Sequence, residues 1–172
     1  MGRMPEKHKR YFLKTKEVKT VLRKASDRLK TDIELMFKDR LDVEVLKTDA
    51  DEIFLINGRP VLVKAGEYIY PTLRFEEFLN QAPRVVVDMG AVPYVCKGAN
   101  IMAPGIRRVE GRFEKNSIVS VVDEKYGKPI ALGEILYDAE GARTVKQGVV
   151  VKNLYYVGDY TWNLLKQLQS MI

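Results

Sequence analysis

Between residues 84 and 158 glycine and proline cut the chain into short, strand-length apolar runs, and this punctuation restricts what the polypeptide can build. Arg84–Asp88, Ile101–Ala103, Ser117–Val122, Pro129–Tyr137 and Gly148–Tyr156 read as strands, while Tyr126-Gly127 and Glu140-Gly141 read as turns. Many short strands joined at glycines predict a small β-barrel, because closing the sheet removes exposed edges.

The first half has a different rhythm. Residues 1–14 read as a loose tail. A helix is expected from about Lys16, with Thr15 as N-cap and Val18, Val21, Leu22, Ala25 and Leu29 on one stripe. A second helical stretch is expected over Asp32–Asp39. Val43–Leu46 reads as a strand. Glu52–Ile56 and Pro60–Lys64 read as a β-hairpin, because Asn57-Gly58 is a favoured pair for a type I′ turn. Tyr70-Pro71-Thr72 is expected to open a short helix that runs to about Asn80. Gln81-Ala82-Pro83 reads as a junction, which divides the chain into residues 1–81 and 82–172. A last helix should start near Tyr160, with Asp159 as its cap.

Charge is unevenly spread. The chain carries a net +6, yet residues 1–30 alone hold 11 Lys/Arg against 3 Asp/Glu. A basic arm therefore precedes a nearly neutral body, which fits contact with phosphates and equally fits a solvated basic helix.

The segment from Val87 to Ile106 carries the most information. Pro93 lacks an N–H and belongs in the first turn of a helix, which puts the helix start near Met89 or Gly90 behind Asp88. Gly98 stands where a left-handed C-terminal stop is expected, and Pro104-Gly105 is expected to make a tight turn, with glycine free to take positive φ. Small residues at Gly98-Ala99-Asn100 let backbone amides approach a ligand, and Lys97, Arg107 and Arg108 flank them. Gly90 and Gly133 are assigned to barrel corners instead.

With Asp88, Gly90-Ala91, Gly98-Ala99-Asn100 and Pro104-Gly105 in this order, the stretch resembles the opening motif of the PUA domain. Pro129-Ile130-Ala131-Leu132-Gly133 and Val157-Gly158-Asp159 resemble that domain's later strands and closing Gly-Asp. Tyr70-Pro71-Thr72-Leu73-Arg74 before the barrel and Tyr160-Thr161-Trp162 after it resemble the malignant T-cell amplified sequence and translation machinery-associated family, in the compact form of an archaeal member. The resemblance implies an α+β chain: an N-terminal helix and β-hairpin domain, then a PUA-type small β-barrel and a C-terminal helix. It implies binding to structured RNA, either a tRNA-like acceptor end or small-subunit ribosomal RNA. The small ribosomal subunit and a translation partner protein are the implied partners. Carried onto this sequence, the RNA-binding residues are Lys97, Gly98, Ala99, Asn100, Arg107, Arg108 and Lys146.

No catalytic role, metal or cofactor is expected. Phosphate-loop and dinucleotide fingerprints are missing, and one histidine (His8) with one cysteine (Cys96) cannot make a structural zinc site. Tyr68, Tyr70, Tyr155 and Tyr156 are assigned to packing before base stacking. No apolar run reaches a membrane-spanning length, and a lone cysteine fits a cytoplasmic chain. An adaptor for an RNA-modifying enzyme, or a protein-interaction module without RNA affinity, are the competing expectations.

Overall fold

The computed structural model describes residues 9–37 and 41–170. They divide into two compact units, one drawn from Met1–Phe78 with Asn163–Ile172 and the other from Leu79–Trp162. The α+β architecture is the one expected.

The first unit is a five-stranded antiparallel meander of β1 (Lys9–Phe12), β2 (Val43–Lys47), β3 (Glu52–Ile56), β4 (Arg59–Ala65) and β5 (Tyr68–Pro71), in that spatial order. Helix α1 (Thr15–Leu29) lies against β5 and buries Leu22, Ala25 and Leu29, an i, i+3, i+7 stripe. The hairpin forms at Asn57-Gly58, where both residues take positive φ (51° and 83°), as a type I′ turn requires.

Several local expectations need correction. Thr15 is the first helical residue; Lys14, in extended backbone without a side-chain bond, occupies the cap. The second helix is reduced to a 3-10 turn, Glu34–Met36, while residues 38–40 of that prediction lie outside the described residues. Residues 9–12, read as tail, form β1, with Tyr11 opposite Val45; residues 1–8 lie outside the described residues. Tyr68–Pro71 is a strand, and the helix α2 begins only at Glu76 and ends at Gln81. Thr72 explains the delay: its hydroxyl donates to the Pro60 carbonyl (2.8 Å) and accepts the Arg74 N–H (3.1 Å), which fixes a turn ahead of the helix.

The second unit is a curled six-stranded sheet. Its elements are β6 (Arg84–Val87), α3 (Val92–Val95), β7 (Ile101–Met102), β8 (Ile106–Glu110), β9 (Ile118–Asp123), β10 (Pro129–Ile135), α4 (Ala139–Thr144) and β11 (Val149–Tyr156). The spatial order is β7-β11-β10-β9-β6-β8. Only β6 and β9 pair in parallel, Val85 opposite Val121; the other pairs are antiparallel. Val85, Val119, Val121, Ala131, Ile135, Val150 and Val151 fill its core at complete or near-complete burial. Gly133 lies at a register shift in β10, where a Cβ would stand 2.3 Å from Val151 Cγ1, so the close approach of β11 requires glycine there. Strand β8 and helix α4 are additions to the sequence reading. Helix α5 (Tyr160–Ser170) starts as expected: Asp159 Oδ1 accepts the Trp162 N–H at 2.7 Å.

Candidate nucleic-acid interface

The turn from β6 into α3 is built on Asp88. Its main-chain N–H donates to the Gly105 carbonyl (3.0 Å), and its Oδ1 accepts the Ala91 N–H (2.8 Å). The helix therefore begins at Val92 with Pro93 in its first turn, slightly later than Met89 or Gly90. Gly98 takes φ +95° and ends the helical run, the conformation expected of it. Gly105 does not: Ala103–Gly105 is a 3-10 turn and Gly105 is not in the left-handed region. What glycine supplies there is a close approach, since a Cβ would sit 3.4 Å from the Cβ of Ala91.

The Gly98 loop is tied to β11. Asn153 Nδ2 donates to the carbonyls of Val95 (3.0 Å) and Ala99 (2.9 Å), and its main-chain N–H donates to Asn100 Oδ1 (3.0 Å). Tyr156 packs beneath Gly98, where an added Cβ would lie 3.1 Å from Cε1. Lys97, Ala99 and Asn100 remain exposed. The corner is thus fixed from below and open above, with one cation on it. Tyr94 on α3 is 67% exposed.

Arg107 and Arg108 stand on β8, not on this loop. Arg107 Nε donates to Glu124 Oε2 (3.1 Å), and Glu124 Oε1 accepts the Met89 N–H (3.2 Å), so this pair braces the Asp88 turn. Arg108 Nε donates to Glu110 Oε1 at 2.6 Å. Both arginines are about 60% exposed at the side chain, and pairs that wet contribute little, so phosphate oxygens can replace either carboxylate. Arg107 and Arg108 line a hollow of about 240 Å³ together with Arg143 and Val145. Lys146, exposed, follows directly on Val145.

Arg143 is a residue that sequence reasoning missed. It lies in the last turn of α4, and its guanidinium donates to the carbonyls of Val109 (3.2 Å) and Gly111 (2.7 Å). A signal was present: Asp138 caps α4 by accepting the Gly141 N–H, so Glu140-Gly141 lies in a helix whose last turn carries an arginine. Asn153 was missed too, because an asparagine inside a strand gives no local sign that it holds a distant loop.

Burial pushes the Cys96 thiol up, away from thiolate chemistry. Asp123 is held below the ordinary carboxylate range, chiefly by the main-chain N–H of Tyr126 and, against the opposing effect of burial, by that of Lys128. Among the described residues no group of three or more His, Cys, Asp or Glu side chains is placed to hold a metal, and no helix is long and apolar enough to cross a membrane.

Comparison with known proteins divides the chain in the same order. The PUA domain matches residues 83–157, and a domain of unknown function, DUF1947, matches residues 9–76. An uncharacterized protein of Methanocaldococcus jannaschii is 35% identical over 92% of this chain and 98% of its own. Translation machinery-associated protein 20 of Schizosaccharomyces pombe is 30% identical over 86% of each chain. Among solved structures, a PUA domain from Aeropyrum pernix, crystallised as a tartrate complex, superposes with a TM-score of 0.82 at 25% identity, covering 94% of this chain and 93% of that one. A hypothetical protein from Pyrococcus horikoshii superposes with a TM-score of 0.74 at 30% identity, covering 91% and 99%.

Proposed function

The chain belongs to the translation machinery-associated protein 20 family, with a DUF1947 domain ahead of a PUA domain, and on that premise we propose that it binds structured RNA of the translation apparatus without catalysing a reaction. The RNA is a tRNA-like acceptor end or a segment of small-subunit ribosomal RNA, and the partner assembly is the small ribosomal subunit with a translation partner protein in the cytoplasm.

The observation that carries this reading is the exposed corner at Lys97, Gly98, Ala99 and Asn100, held rigid by Asn153 from β11. A side-chain-poor loop lets a sugar-phosphate backbone come close to main-chain amides, and an A-form stem is recognised by its shape and backbone. Arg107, Arg108 and Lys146 supply charge around the neighbouring hollow, and Arg143 joins them. Binding consists of recognition alone; it asks nothing of a nucleophile, metal or cofactor.

Filter binding to unmodified tRNA tests the reading. Charge reversal at Lys97, Arg107 and Arg108 should weaken binding and flatten its dependence on salt. A triple variant that binds like the parent protein removes the site.

A further inference from the structure

The first unit contains a groove that the proposed RNA site does not use. It has a volume of about 400 Å³ and lies between α1 and the sheet. Its floor is apolar: Val45, Phe54 and Ile69 are all at most 4% exposed. Lys16, Lys24, Lys47 and Lys64 stand around it against Glu17 and Glu52, an excess of two positive charges. Lys47 is already engaged, 3.5 Å from Glu52 and over the Tyr11 ring, which leaves the excess to the other lysines.

One wall of the groove is β1, and β1 is the edge of its sheet. The Leu13 N–H donates to the Val43 carbonyl, so in this antiparallel register Lys9, Tyr11 and Leu13 direct their main-chain groups toward β2. The N–H and C=O groups of Arg10 and Phe12 therefore face outward, with no strand beside them among the described residues. Tyr11 and Leu13 contribute side chains to the groove.

We propose that this groove and the open edge of β1 form one docking site for an extended, acidic segment of a partner protein. Such a segment pairs with Arg10 and Phe12 through its main chain, which gives affinity to any sequence in an extended form. Every second side chain then falls on the α1 side of β1: an apolar one beside Tyr11, and carboxylates toward Lys16 and Lys24 on the rim of the groove. This chain's own residues 1–8 are a poor occupant, because Arg3 and Lys7 outweigh Glu6 and would meet the lysines with like charge. Single-stranded RNA fits less well, since stacking needs open aromatic faces and Phe54 is 2% exposed, which leaves Tyr11 alone.

The test is selection of a random 12-residue peptide library on the full chain, with enriched peptides measured by fluorescence anisotropy and amide chemical shifts. The expected peptides alternate acidic and apolar residues and shift the amides of Lys9–Leu13. Their Kd should rise about tenfold or more in the double variant Lys16→Glu/Lys24→Glu, whose positions are exposed on α1. Phe12→Pro should weaken them as well, because proline removes an outward N–H and leaves the β1–β2 ladder intact. Should Phe12→Pro fail to fold, the charge variant decides alone. Enrichment of neutral or basic peptides, affinity unchanged in the charge variant, or shifts at Lys9–Leu13 produced by oligouridylate and not by peptide would each overturn the proposal.

Discussion

Asn153 and Asn100 hold each other across the sheet: the main-chain N–H of Asn153 donates to Asn100 Oδ1 at 3.0 Å, while the Asn153 amide reaches past it to Val95 and Ala99. The side chain of one strand residue thereby closes a loop 54 to 58 positions away. Asn153→Ala removes two donors and leaves the part-buried Val95 carbonyl without that bond. The expected loss is about 1–2 kcal/mol of stability. Hydrogen exchange at residues 97–100 should quicken more than exchange in β9, and tRNA affinity should fall with it. Unchanged exchange at the loop would show that the amide does not hold it.

Gly98 and Gly133 separate two reasons for glycine. At Gly98 the backbone is at φ +95° with Tyr156 beneath, so Gly98→Ala should cost about 1–3 kcal/mol through backbone strain and loosen the corner. At Gly133 the φ is ordinary, but a Cβ would meet Val151 Cγ1 at 2.3 Å and the Lys152 carbonyl at 2.6 Å. Gly133→Ala must push β10 from β11, at about 3 kcal/mol. Thermal melts should rank Gly133→Ala as the less stable variant, while Gly98→Ala has the larger effect on tRNA binding relative to its stability change.

Acid sensitivity should centre on Asp123. Its carboxylate accepts the main-chain N–H groups of Tyr126 and Lys128, and its folded-state pKa is depressed. A depressed acid contributes stability above its unfolded value, about 3.9, and loses it as pH falls through the folded value. Asp123→Asn presents an amide N–H₂ group to donors, so it should lower stability at neutral pH. It should also flatten the decline in stability below about pH 4. Urea unfolding across pH 3–7 reads both effects; a variant with the parent's acid limb would move the cause elsewhere.

Much of the fold was legible because its signals are local. Asn57-Gly58 specified the hairpin through two positive φ angles, Pro93 marked the first turn of α3, and Gly98 marked the left-handed stop that follows it. Strands β1 and β8 were not legible. Lys9–Phe12 is exposed throughout, and Ile106–Glu110 buries only Val109 fully, so neither shows the apolar alternation by which a strand announces itself. Both are edge strands, and only their partners identify them. The parallel pairing of β6 with β9 is equally hidden, since nothing within Arg84–Val87 names a partner more than 30 residues on. For the candidate site, the Gly98 loop was visible through its small residues. The Arg107–Arg108–Arg143 grouping was not, because it needs β8 and α4 to be side by side.

That grouping gives the sharpest electrostatic prediction. Lys97 and Lys146 are exposed and make no ion pair among the described residues, whereas Arg143 is tied to the carbonyls of Val109 and Gly111. Lys97→Gln and Lys146→Gln should therefore change stability by no more than about 0.5 kcal/mol. If each lysine meets one phosphate, each substitution should reduce the slope of log affinity against log salt by about 0.7–0.9. Arg143→Gln should reduce the slope similarly but also destabilise the second unit by about 1–2 kcal/mol, since two carbonyls lose a charged donor. Titrating tRNA at several salt concentrations alongside thermal melts separates these contributions. A slope that responds to Lys97 but to neither Lys146 nor Arg143 would confine the RNA to the Gly98 corner and leave the hollow on β8 outside the interface.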